Sequence, residues 1–519
     1  MAYITTPIYY VNDDPHIGHL YTTLSADVLT RFFNLIGEKS YLLSGTDEHA
    51  VKVVEAANNN NMSVFDWAEK KAAAFSKAFD EYQINVSDFI RTSEKRHVAE
   101  VEKRVRELLA TGDIYLGSYE GWYDKGQEEY ISDHKAKESD YVSVFNKKPL
   151  VRRKEPCLFF KLSKYADPIK KLIEEDTLKV RPLSRKNEIL ARFVEGINDV
   201  PCSRPRTDEW GVAVPGYEDQ TVYVWIDALL NYLTSVDTEG RRNFWPPDIQ
   251  IVGKDILWFH AVIWPAMLLA LQNNPNNKWI QLPKIIKAHG FWVRDGEKMS
   301  KSMGNFISLP VLNEYVAKYG LDSIRFYLMH SGPNESSDAN FSDDNLHTVH
   351  TTMLANTIGN SCSRVITMIC KYCDEKTPSN KVKSGFAIKE VEIAVSNALA
   401  SAKNGEFQAL INEALKITRI VDSFIQETSP FKLAKEEANK DLVDAILYDC
   451  LEALRLVSVM LWPVMPTTIG KMWSAFSYQE TMKNVLANQS AQAEKIFEWG
   501  SLKSGLTVSK LEPLFPRVE

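Results

Sequence analysis

The stretch Tyr9-Tyr10-Val11-Asn12-Asp13-Asp14-Pro15-His16-Ile17-Gly18-His19 places two histidines between a predicted strand and a predicted helix. Residues 3–8, just before it, are apolar and rich in β-forming side chains, which indicates a buried strand. Residues 20–36, just after it, have helical periodicity and end at Gly37, a favourable residue beyond a helix C-terminus. The chain is therefore expected to turn from a strand into a helix at the histidines.

This turn has the properties of a phosphate-binding site. A helix N-terminus offers unpaired N–H groups and a partial positive charge, both of which favour an anion. His16 and His19 are three residues apart, so they are expected to face the same way. Gly18 lacks a side chain, so a ring or a sugar could approach the backbone closely. The motif alone is a modest indication, because two histidines near a helix start also occur by chance.

A second stretch, Lys298-Met299-Ser300-Lys301-Ser302, strengthens the indication. Two lysines among small polar residues, between Gly296 and Gly304, are typical of a mobile cationic loop that closes on a polyphosphate. We name residues 298–302 the lysine loop. Taken alone, the lysines could be a solvated surface run. Downstream of a strand, a His-x-Gly-His motif and a helix, the phosphate role is favoured.

Composition bounds the class of protein. The chain has 519 residues, enough for two or three domains, with 45% hydrophobic and 25% charged residues, as in ordinary globular proteins. The net charge of −7 argues against a wholly basic nucleic-acid binder but leaves room for a local basic track. No apolar run is long enough to cross a membrane, and no signal or transit peptide is visible, so a cytoplasmic protein is expected.

Six thinly scattered cysteines are typical of a reducing compartment. Cys370 and Cys373 form the one close pair. A zinc ribbon needs a second such pair or two histidines, so we interpret these two cysteines as ordinary helix residues.

The first half of a doubly wound sheet is predicted from the chain up to residue 111. Residues 39–46 indicate a second strand, which ends at Asp47-Glu48-His49, and residues 89–92 indicate a third. Predicted helices span residues 50–58, 63–82 and 93–111. A carboxylate at the end of such a strand lies at the ligand crevice, so Asp47 could hold an ammonium group. Asp47 could equally cap the helix that follows it, and the two roles are compatible.

The pattern changes between residues 112 and 206, where strand-like pieces at 113–119 and 128–132 alternate with charged turns and a polar loop at 135–148. We interpret this part as an insertion. Alternation resumes with predicted strands at 222–228, 249–255 and 284–290 and a predicted helix at 256–271. The second half of the sheet is expected here.

The remainder of the chain is predicted to be helical. Helices at 310–320 and 322–330 and a loop at 331–341 lead to an all-α bundle. Bundle helices are expected at 342–372, 387–404, 407–427, 442–461 and 466–476, and the apolar patch at 511–515 could dock back. The expected fold is a doubly wound parallel α/β (Rossmann-like) catalytic domain with an inserted connective domain, followed by a helical bundle. The limits are 1–111 and 207–305 for the catalytic halves, 112–206 for the insertion, 306–341 for linking helices, 342–477 for the bundle and 478–519 for the tail.

An aromatic group, Trp225, Tyr232, His260 and Trp264, admits two interpretations. Composition alone favours core packing. Their expected position at strand ends of the second half-sheet makes an apolar slot plausible. Aromatic walls suit a thioether, which gains from contacts between sulfur and a ring.

Together these motifs resemble those of the methionyl-tRNA synthetases, which are class I enzymes. The resemblance runs from Tyr3 to the end of the helical domain. It is carried by His16-Ile17-Gly18-His19, Gly45-Thr46-Asp47-Glu48-His49, Tyr223-Val224-Trp225-Ile226-Asp227-Ala228-Leu229, Gly253-Lys254-Asp255-Ile256 and the lysine loop. The resemblance implies a methionine–tRNA ligase, which makes methionyl-adenylate and pyrophosphate from methionine and ATP and then transfers the methionyl group to tRNA(Met).

The resemblance also implies roles for individual residues. It implies that the catalytic groups are His16, His19, Lys298 and Lys301. It implies an ATP site that comprises Gly18, His19, Asp255, His289, Gly290, Lys298 and Lys301. It implies a methionine site that comprises Ile8, Tyr10, Asp47, Trp225, Ala228, Tyr232, Ile256 and His260, with Asp47 taking the ammonium group. Mg²⁺ is expected to accompany ATP, held mainly by phosphate and water.

In the helical domain the resemblance implies anticodon binding by Asn360 and Arg364. Phe431 follows Pro430 where the family commonly has a stacking tryptophan. The family's Cys-x-x-Cys zinc knuckles are replaced here by Gly121-Trp122-Tyr123-Asp124-Lys125-Gly126-Gln127-Glu128, so no structural zinc is expected. No appended dimerising module is recognised, so a monomer is expected.

Two other functions remain open from the residues. A nucleotidylyltransferase acting on another small substrate can share the His-x-Gly-His logic, but it would not need a long helical domain with Asn360 and Arg364. A non-catalytic tRNA-binding paralogue is disfavoured by the intact histidines and lysines.

Overall fold

The fold was analysed in a computed structural model. The structure describes residues 1–124, 129–131, 133–143, 147–206, 209–294, 296–299, 304–335, 337–488 and 493–518. None of the described helices is both long and apolar enough to cross a membrane.

The main sheet has six parallel strands. Their order across the sheet is Asp88–Arg91, Ser40–Asp47, Ala2–Tyr10, Ile249–Gly253, Ile285–His289 and Lys179–Arg181. Ala2–Tyr10 lies between a strand of its own half and Ile249–Gly253 of the other half, so the strand order reverses there. Ligands of such sheets bind beyond the carboxyl ends of the strands at this reversal. The turn at residues 11–16, which leads to His16 and His19, begins one residue after Tyr10 and therefore lies at this reversal.

The helices of the first half confirm the prediction within a few residues. They are Ile17–Leu35, Val51–Asn59, Val64–Glu81 and Lys95–Ala110. One detail was wrong. Asp47 does not cap the second helix, because the N-cap residue is Ala50 and no side chain caps that helix. The Asp47 carboxylate is therefore not engaged in helix capping.

The insertion is built from two small antiparallel sheets. One contains Ile114–Asp124, Glu129–Ile131, Val151–Phe160 and Val200–Pro201, and the other contains Ser203–Pro205, Ala213–Val214 and Tyr217–Val222. Its helices are Asp133–Glu138, Leu162–Tyr165, Ala166–Glu174 and Leu183–Val194. The prediction of a loop throughout residues 135–148 was wrong at its start, where Asp133–Glu138 is helical. Residues 144–146 of that stretch lie outside the described residues.

Two corrections concern the second half of the main sheet. Lys179–Arg181, expected inside the insertion, pairs in parallel with Ile285–Lys287 as the edge strand of the main sheet. Residues 222–228, expected as a strand, instead form the helix Val224–Leu229 after the strand Tyr217–Val222 ends. A short continuous apolar run fits a buried helix as well as a buried strand, and the periodicity alone does not separate them.

The remaining helical pieces of this half are short. They are Asn231–Thr234, Arg242–Phe244, Lys254–Ile256, the π-helix Phe259–Ile263, Trp264–Leu271 and Pro275–Asn277. A fourth sheet follows, in which Trp292–Arg294 pairs with Glu297–Lys298 and with Ala339–Phe341. The predicted loop at 331–341 was therefore wrong at its end.

The predicted helical bundle is confirmed. After Leu309–Tyr319 and Leu321–Ser331 the helices are Asp343–Thr348, the π-helix Val349–Gly359, Asn360–Tyr372, Ile388–Lys403, Gln408–Thr428, Pro430–Leu433, Glu437–Asn439, Lys440–Leu461, Pro466–Ala475, Gln479–Asn488 and Ala493–Phe497. Lys440–Leu461 is the central helix and is almost wholly buried beyond its first turn. The patch at 511–515 docks as predicted, with Leu514 and Phe515 buried.

One buried arginine joins the bundle to the sheet domain. The fully buried Arg325 donates to the Asp27 carboxylate at 2.9 Å, to the Val464 carbonyl at 2.8 Å and to the Tyr82 carbonyl at 2.7 Å. Because its guanidinium is satisfied by partners from separate helices and connections, it fixes how the bundle sits against the helix that follows the histidines.

Candidate active site

His16 and His19 together cap the N-terminus of the helix Ile17–Leu35. His16 is the N-cap residue, and its Nδ1 accepts the Gly18 N–H at 3.0 Å. The His16 backbone N–H in turn donates to Nδ1 of His19 at 3.2 Å. The rings stack with centroids 3.8 Å apart. The prediction that His16 and His19 face the same way is confirmed.

Gly18, which lies between the two histidines, lacks a side chain for a reason other than the expected close approach of a ligand. A Cβ at Gly18 would lie 2.9 Å from Cε1 of His16. Gly18 therefore makes room for the His16 ring itself. That ring can then fold back over the helix terminus and cap it.

The capping bonds determine which ring nitrogens can donate to a ligand. Because Nδ1 of each histidine accepts a backbone N–H, the proton of each neutral ring is carried by Nε2. Burial lowers the pKa of His19 well below its usual value, and the neighbouring His16 lowers it further. His19 is therefore neutral near pH 7 and can offer its Nε2–H to a phosphate oxygen.

The histidines line a cleft of about 530 Å³, which we name the central cleft. All eight residues predicted for the methionine site line this same cleft: Ile8, Tyr10, Asp47, Trp225, Ala228, Tyr232, Ile256 and His260. Gly18, Asp255 and His289 of the predicted ATP site line it as well. Gly290 is not among the lining residues. Residues that lie far apart along the chain thus converge at the reversal of strand order.

The apolar side of the cleft is built on Trp225, whose ring stacks on Phe259 with centroids 3.9 Å apart. Phe259 begins the π-helix Phe259–Ile263, which also carries His260. Such π-bulges often occur at functional sites because they re-aim a side chain. Trp264, one residue beyond, is fully buried and does not line the cleft. The aromatic group thus divides, since Trp225, Tyr232 and His260 line the cleft and Trp264 belongs to the core.

A hydrogen-bonded pair closes the end of this slot. Nδ1 of His260 lies 3.0 Å from the Ile256 carbonyl, which can only accept, so Nδ1 carries the proton. Nε2 then accepts from the Tyr232 hydroxyl at 2.8 Å. Burial lowers the pKa of His260 to about 4. Both groups are thereby satisfied and uncharged, which leaves a slot suited to an apolar or thioether side chain.

Two buried oxygens at the cleft lack a partner among the described residues. Oδ1 of Asp47 and Oδ1 of Asn231 make no hydrogen bond, although the two residues are only 3% and 1% exposed. Nδ2 of Asn231 donates to the Ala228 carbonyl at 2.6 Å, so its oxygen is left as an acceptor. Buried polar atoms without partners cost free energy unless a ligand satisfies them. Both oxygens suit a donor such as an ammonium group.

Sequence reasoning missed Asn231. The available signal was a polar residue between Leu230 and Tyr232 in an otherwise apolar run, which had no distinguishing motif. The burial of Asp47 raises its pKa well above the usual value, and the nearby Asp227 raises it further. This carboxylate is therefore costly to ionise without a compensating cation.

The predicted nucleotide side of the cleft carries Asp255 and His289. Asp255 is exposed at the end of the strand Ile249–Gly253. Nε2 of His289 lies 2.8 Å from the Thr22 hydroxyl, and burial lowers its pKa to about 4, so it is a neutral part of the wall. Gly290 permits a close backbone approach, since a Cβ there would lie 2.4 Å from the Ser337 carbonyl oxygen.

The described residues that flank the lysine loop contact a neighbouring strand on one side and His16 on the other. On its N-terminal side the backbone of Lys298 pairs with Val293, and on its C-terminal side Ser308 bridges to His16. The ring of Phe306 meets the His16 ring edge-on with centroids 5.3 Å apart. Lys301 lies outside the described residues. Phe306, which follows the lysine loop in the chain, thus lies at the central cleft beside His16.

The three predicted anticodon residues lie on the helical bundle, away from the central cleft. Asn360 is exposed at the start of Asn360–Tyr372, and the half-buried Arg364 lies one turn later, 3.6 Å from the Asp422 carboxylate. Phe431 is 44% exposed in the short helix Pro430–Leu433. An exposed phenylalanine and a partly exposed arginine are suited to unstacked bases.

The six cysteines are all free thiols. Sγ of Cys373 contacts the Asp444 carboxylate at 3.5 Å, and Cys370 faces the Val508 carbonyl at 3.7 Å. Within the described ranges no cluster of three His, Cys, Asp or Glu residues could hold a metal ion. Residues 125–128, part of the stretch that replaces the family's zinc knuckle, lie outside those ranges.

Comparisons with known proteins agree with this geometry. A family model described as "tRNA synthetases class I (M)" matches residues 2–139 and 136–366. A methionine–tRNA ligase of Streptomyces coelicolor is 38% identical over 100% of this chain and 96% of its own length. One of Rickettsia bellii is 36% identical over 100% of this chain and 99% of its own. A crystal structure of Mycobacterium tuberculosis methionyl-tRNA synthetase bound by methionyl-adenylate superposes with a TM-score of 0.85 at 28% identity, covering 99% of this chain and 100% of that one.

Proposed function

Because the chain belongs to the methionine–tRNA ligases, ATP-dependent class I tRNA synthetases, we propose that it forms methionyl-adenylate in the central cleft and then charges tRNA(Met). The observation that carries this proposal is the convergence of three features at one place. They are a stacked histidine pair at a helix N-terminus, an aromatic slot closed by Tyr232 and His260, and the buried oxygen of Asp47 that lacks a partner among the described residues.

In the proposed complex the methionine side chain enters the slot between Trp225 and the Tyr232–His260 pair. Ile8, Tyr10, Ala228 and Ile256 complete the wall. Asp47 binds the ammonium group of methionine. The methionine carboxylate then points towards the histidines. A thioether gains from sulfur–ring contacts that a purely aliphatic wall would not supply.

The chemical step is the attack of the methionine carboxylate oxygen on the α-phosphorus of ATP. The bond to the β-phosphate breaks, and pyrophosphate leaves. Nε2–H of His16 and of His19 donates to phosphate oxygens, and Lys298 and Lys301 neutralise the leaving pyrophosphate. Asp255 binds the ribose, while Gly18, His289 and Gly290 shape the nucleotide wall. No side chain needs to transfer a proton, so catalysis rests on positioning and electrostatic stabilisation.

Mg²⁺ fits this cleft as a companion of ATP. With no three-residue metal cluster among the described residues, phosphate oxygens and water would supply most of its ligands, which is how Mg²⁺ is commonly held. When bound, Mg²⁺ would neutralise charge on the phosphate oxygens.

In the second step the methionyl group passes from the adenylate to the terminal ribose of tRNA, whose anticodon is read by Asn360, Arg364 and Phe431. The spacing of Asn360 and Arg364 on one helix face and the exposure of Phe431 support this role. We further propose the domain limits given above, except that Lys179–Arg181 is assigned to the catalytic sheet and the insertion extends to Val222. We also propose that the protein is a cytoplasmic monomer.

The direct test is charging of a tRNA(Met) transcript with radiolabelled methionine in the presence of ATP and Mg²⁺. Methionylation of tRNA(Met), but not of a transcript with an altered anticodon, is expected. Failure to charge tRNA while methionine-dependent ATP turnover persists would instead support an enzyme that ends at the adenylate. A single species of monomer mass in light scattering is expected in the same preparation.

A further inference from the structure

Behind the central cleft, one buried carboxylate is shared by two imidazoles. Oδ2 of Asp227 lies 2.7 Å from Nδ1 of His49, and its Oδ1 lies 2.9 Å from Nε2 of His97. Asp227 is 1% exposed and belongs to the helix Val224–Leu229, which also carries Trp225 and Ala228 of the cleft. The cluster therefore lies directly beneath the proposed methionine slot.

Asp47 adds a second carboxylate to this region. It ends the strand Ser40–Asp47, two residues before His49, and its Oδ1 is unpartnered among the described residues. Burial and the charge of Asp227 both raise the pKa of Asp47. Burial alone would lower the pKa of His49, but the ion pair with Asp227 and the nearby charges of Asp47 and Glu48 together outweigh burial and raise it. The arrangement comprises two buried carboxylates and one imidazole that favours its cationic form.

The other polar groups around this arrangement are already engaged. Glu48, on the same strand end, is ion-paired with Arg91 at 2.7 Å. Tyr10, on the neighbouring strand, pairs in register with Asp47, and burial and the Asp47 charge raise its pKa, so it stays a neutral phenol. From the insertion side Trp210 presents its ring edge-on to His49 at 5.6 Å.

His97, on the helix Lys95–Ala110, reaches Asp227 and Thr234. Of the groups named here, His49 is the one cation whose charge acts on both Asp47 and Asp227. Its charge therefore opposes the effects of burial and of Asp227, which both raise the pKa of the second carboxylate, Asp47.

We infer that His49 is a positioning residue for substrate recognition: its imidazolium, held by Asp227, lowers the cost of ionising Asp47 when the substrate ammonium group binds. This inference rests on the proposed function, because it presumes that Asp47 binds that ammonium group. His49 does not itself touch the substrate. It acts through Asp47 and through the shared carboxylate of Asp227.

The physical consequence of removing His49 is specific. Two neighbouring buried carboxylates cannot both remain charged without a cation, so one of them takes up a proton. Asp227 still accepts a hydrogen bond from His97, so the proton goes to Asp47. Binding of an ammonium group then requires release of that proton. Methionine affinity should fall on the acid side and recover on the alkaline side.

The experiment is calorimetric titration of the full chain with L-methionine between about pH 6 and about pH 8, in buffers of different ionisation enthalpy. The wild-type affinity is expected to change less with pH over this range than the affinity of the His49→Gln variant. In His49→Gln the affinity is expected to be roughly tenfold weaker at the acid end than at the alkaline end, with up to one proton released per methionine bound. Such a proton count would not arise from a change in packing.

A double variant separates charge balance from structure. The double variant His49→Gln, Asp227→Asn loses one cation and one carboxylate, so its cleft keeps the net charge of the wild type with Asp47 as the single carboxylate. The pH dependence of its methionine affinity should therefore return to that of the wild type. A purely structural role predicts that the double variant is weaker than His49→Gln at every pH, and that result would overturn the inference. A wild-type pH profile in His49→Gln would also overturn it. If the wild-type protein does not bind methionine at all, the proposed function itself fails, and the inference fails with it.

Discussion

The backbone N–H of His16 donates to Nδ1 of His19 and thereby fixes the tautomer of that ring, while the two rings stack with centroids 3.8 Å apart. One contact thus serves the helix terminus and the ligand at once. The capping atoms are the two Nδ1 nitrogens, and the atoms left for a phosphate are the two Nε2 nitrogens. Substitutions that replace one ring nitrogen at a time can separate these roles.

His19→Asn should slow adenylate formation by orders of magnitude and leave the fold intact. The asparagine oxygen can replace Nδ1 as the acceptor of the His16 N–H, but nothing replaces Nε2–H. Removal of one transition-state donor typically costs about 10²–10³ in rate. His19→Gln, whose amide N–H₂ can reach the Nε2 position, should retain more activity. Pre-steady-state adenylate formation measures the effect, and equal rates in both variants would contradict the Nε2 role.

Gly290→Ala should disturb the nucleotide side of the cleft. The new Cβ would lie 2.4 Å from the Ser337 backbone oxygen, so one of the two chain segments must move. We expect a raised KM for ATP and a lower unfolding midpoint. Gly470→Ala is the matched control, because its Cβ would meet nothing within 4 Å and alanine is favoured in a helix. A control variant as impaired as Gly290→Ala would contradict this steric account.

The buried histidines His260 and His289 should weaken the fold as the pH falls. In the folded state both have a pKa of about 4, against an ordinary value of 6.5. Between these values the unfolded chain binds more protons, so stability is present above about pH 6.5 and is lost as the pH falls towards about pH 4. Each histidine contributes about 1.4 kcal/mol per pH unit to that loss.

Thermal unfolding midpoints of the wild-type protein and of His260→Gln, measured across this window, check the sign. The variant should lose less stability than the wild type between the two ends of the window, whatever its stability at neutral pH. A steeper loss in the variant would mean that His260 is protonated in the folded protein.

Phe431→Ala should weaken tRNA charging and spare pyrophosphate exchange. Stacking of a base on an aromatic ring is worth about 1–3 kcal/mol, so KM for tRNA should rise roughly tenfold or more. Phe431→Trp should charge at least as well as the wild type. Phe65→Ala is the control, because Phe65 is 60% exposed on a helix of the sheet domain. Similar charging defects in the Phe65 and Phe431 variants would remove the case for a specific base contact.

Arg364→Ala should likewise lower kcat/KM for tRNA charging without changing pyrophosphate exchange. Arg364 lies 3.6 Å from Asp422, and loss of the arginine also leaves that carboxylate without its ion pair. Asp422→Asn therefore serves as the control for the ion pair alone. If both variants lose both activities equally, Arg364 supports the bundle and does not read the anticodon.

The sequence predicted the parallel sheet and the bundle from local patterns, and the family resemblance of its motifs implied many of the residues that line the cleft. It failed where long-range pairing decided the outcome. Lys179–Arg181 is three residues long and joins the main sheet only because Ile285–Lys287 offers an edge. The apolar run Val224–Leu229 fits a buried strand as well as the buried helix that it forms. The sharing of Asp227 by His49 and His97 joins residues 178 and 130 positions apart, and no local pattern indicates it.

The central claim is that the histidine pair, the aromatic slot and Asp47 form one site that activates methionine. Exchange of radiolabelled pyrophosphate into ATP, measured with each of the twenty amino acids in turn, tests it most directly. The account predicts rapid exchange with methionine and exchange near background with the others. Exchange that needs no amino acid, or that is fastest with an amino acid lacking a thioether-sized side chain, would contradict it.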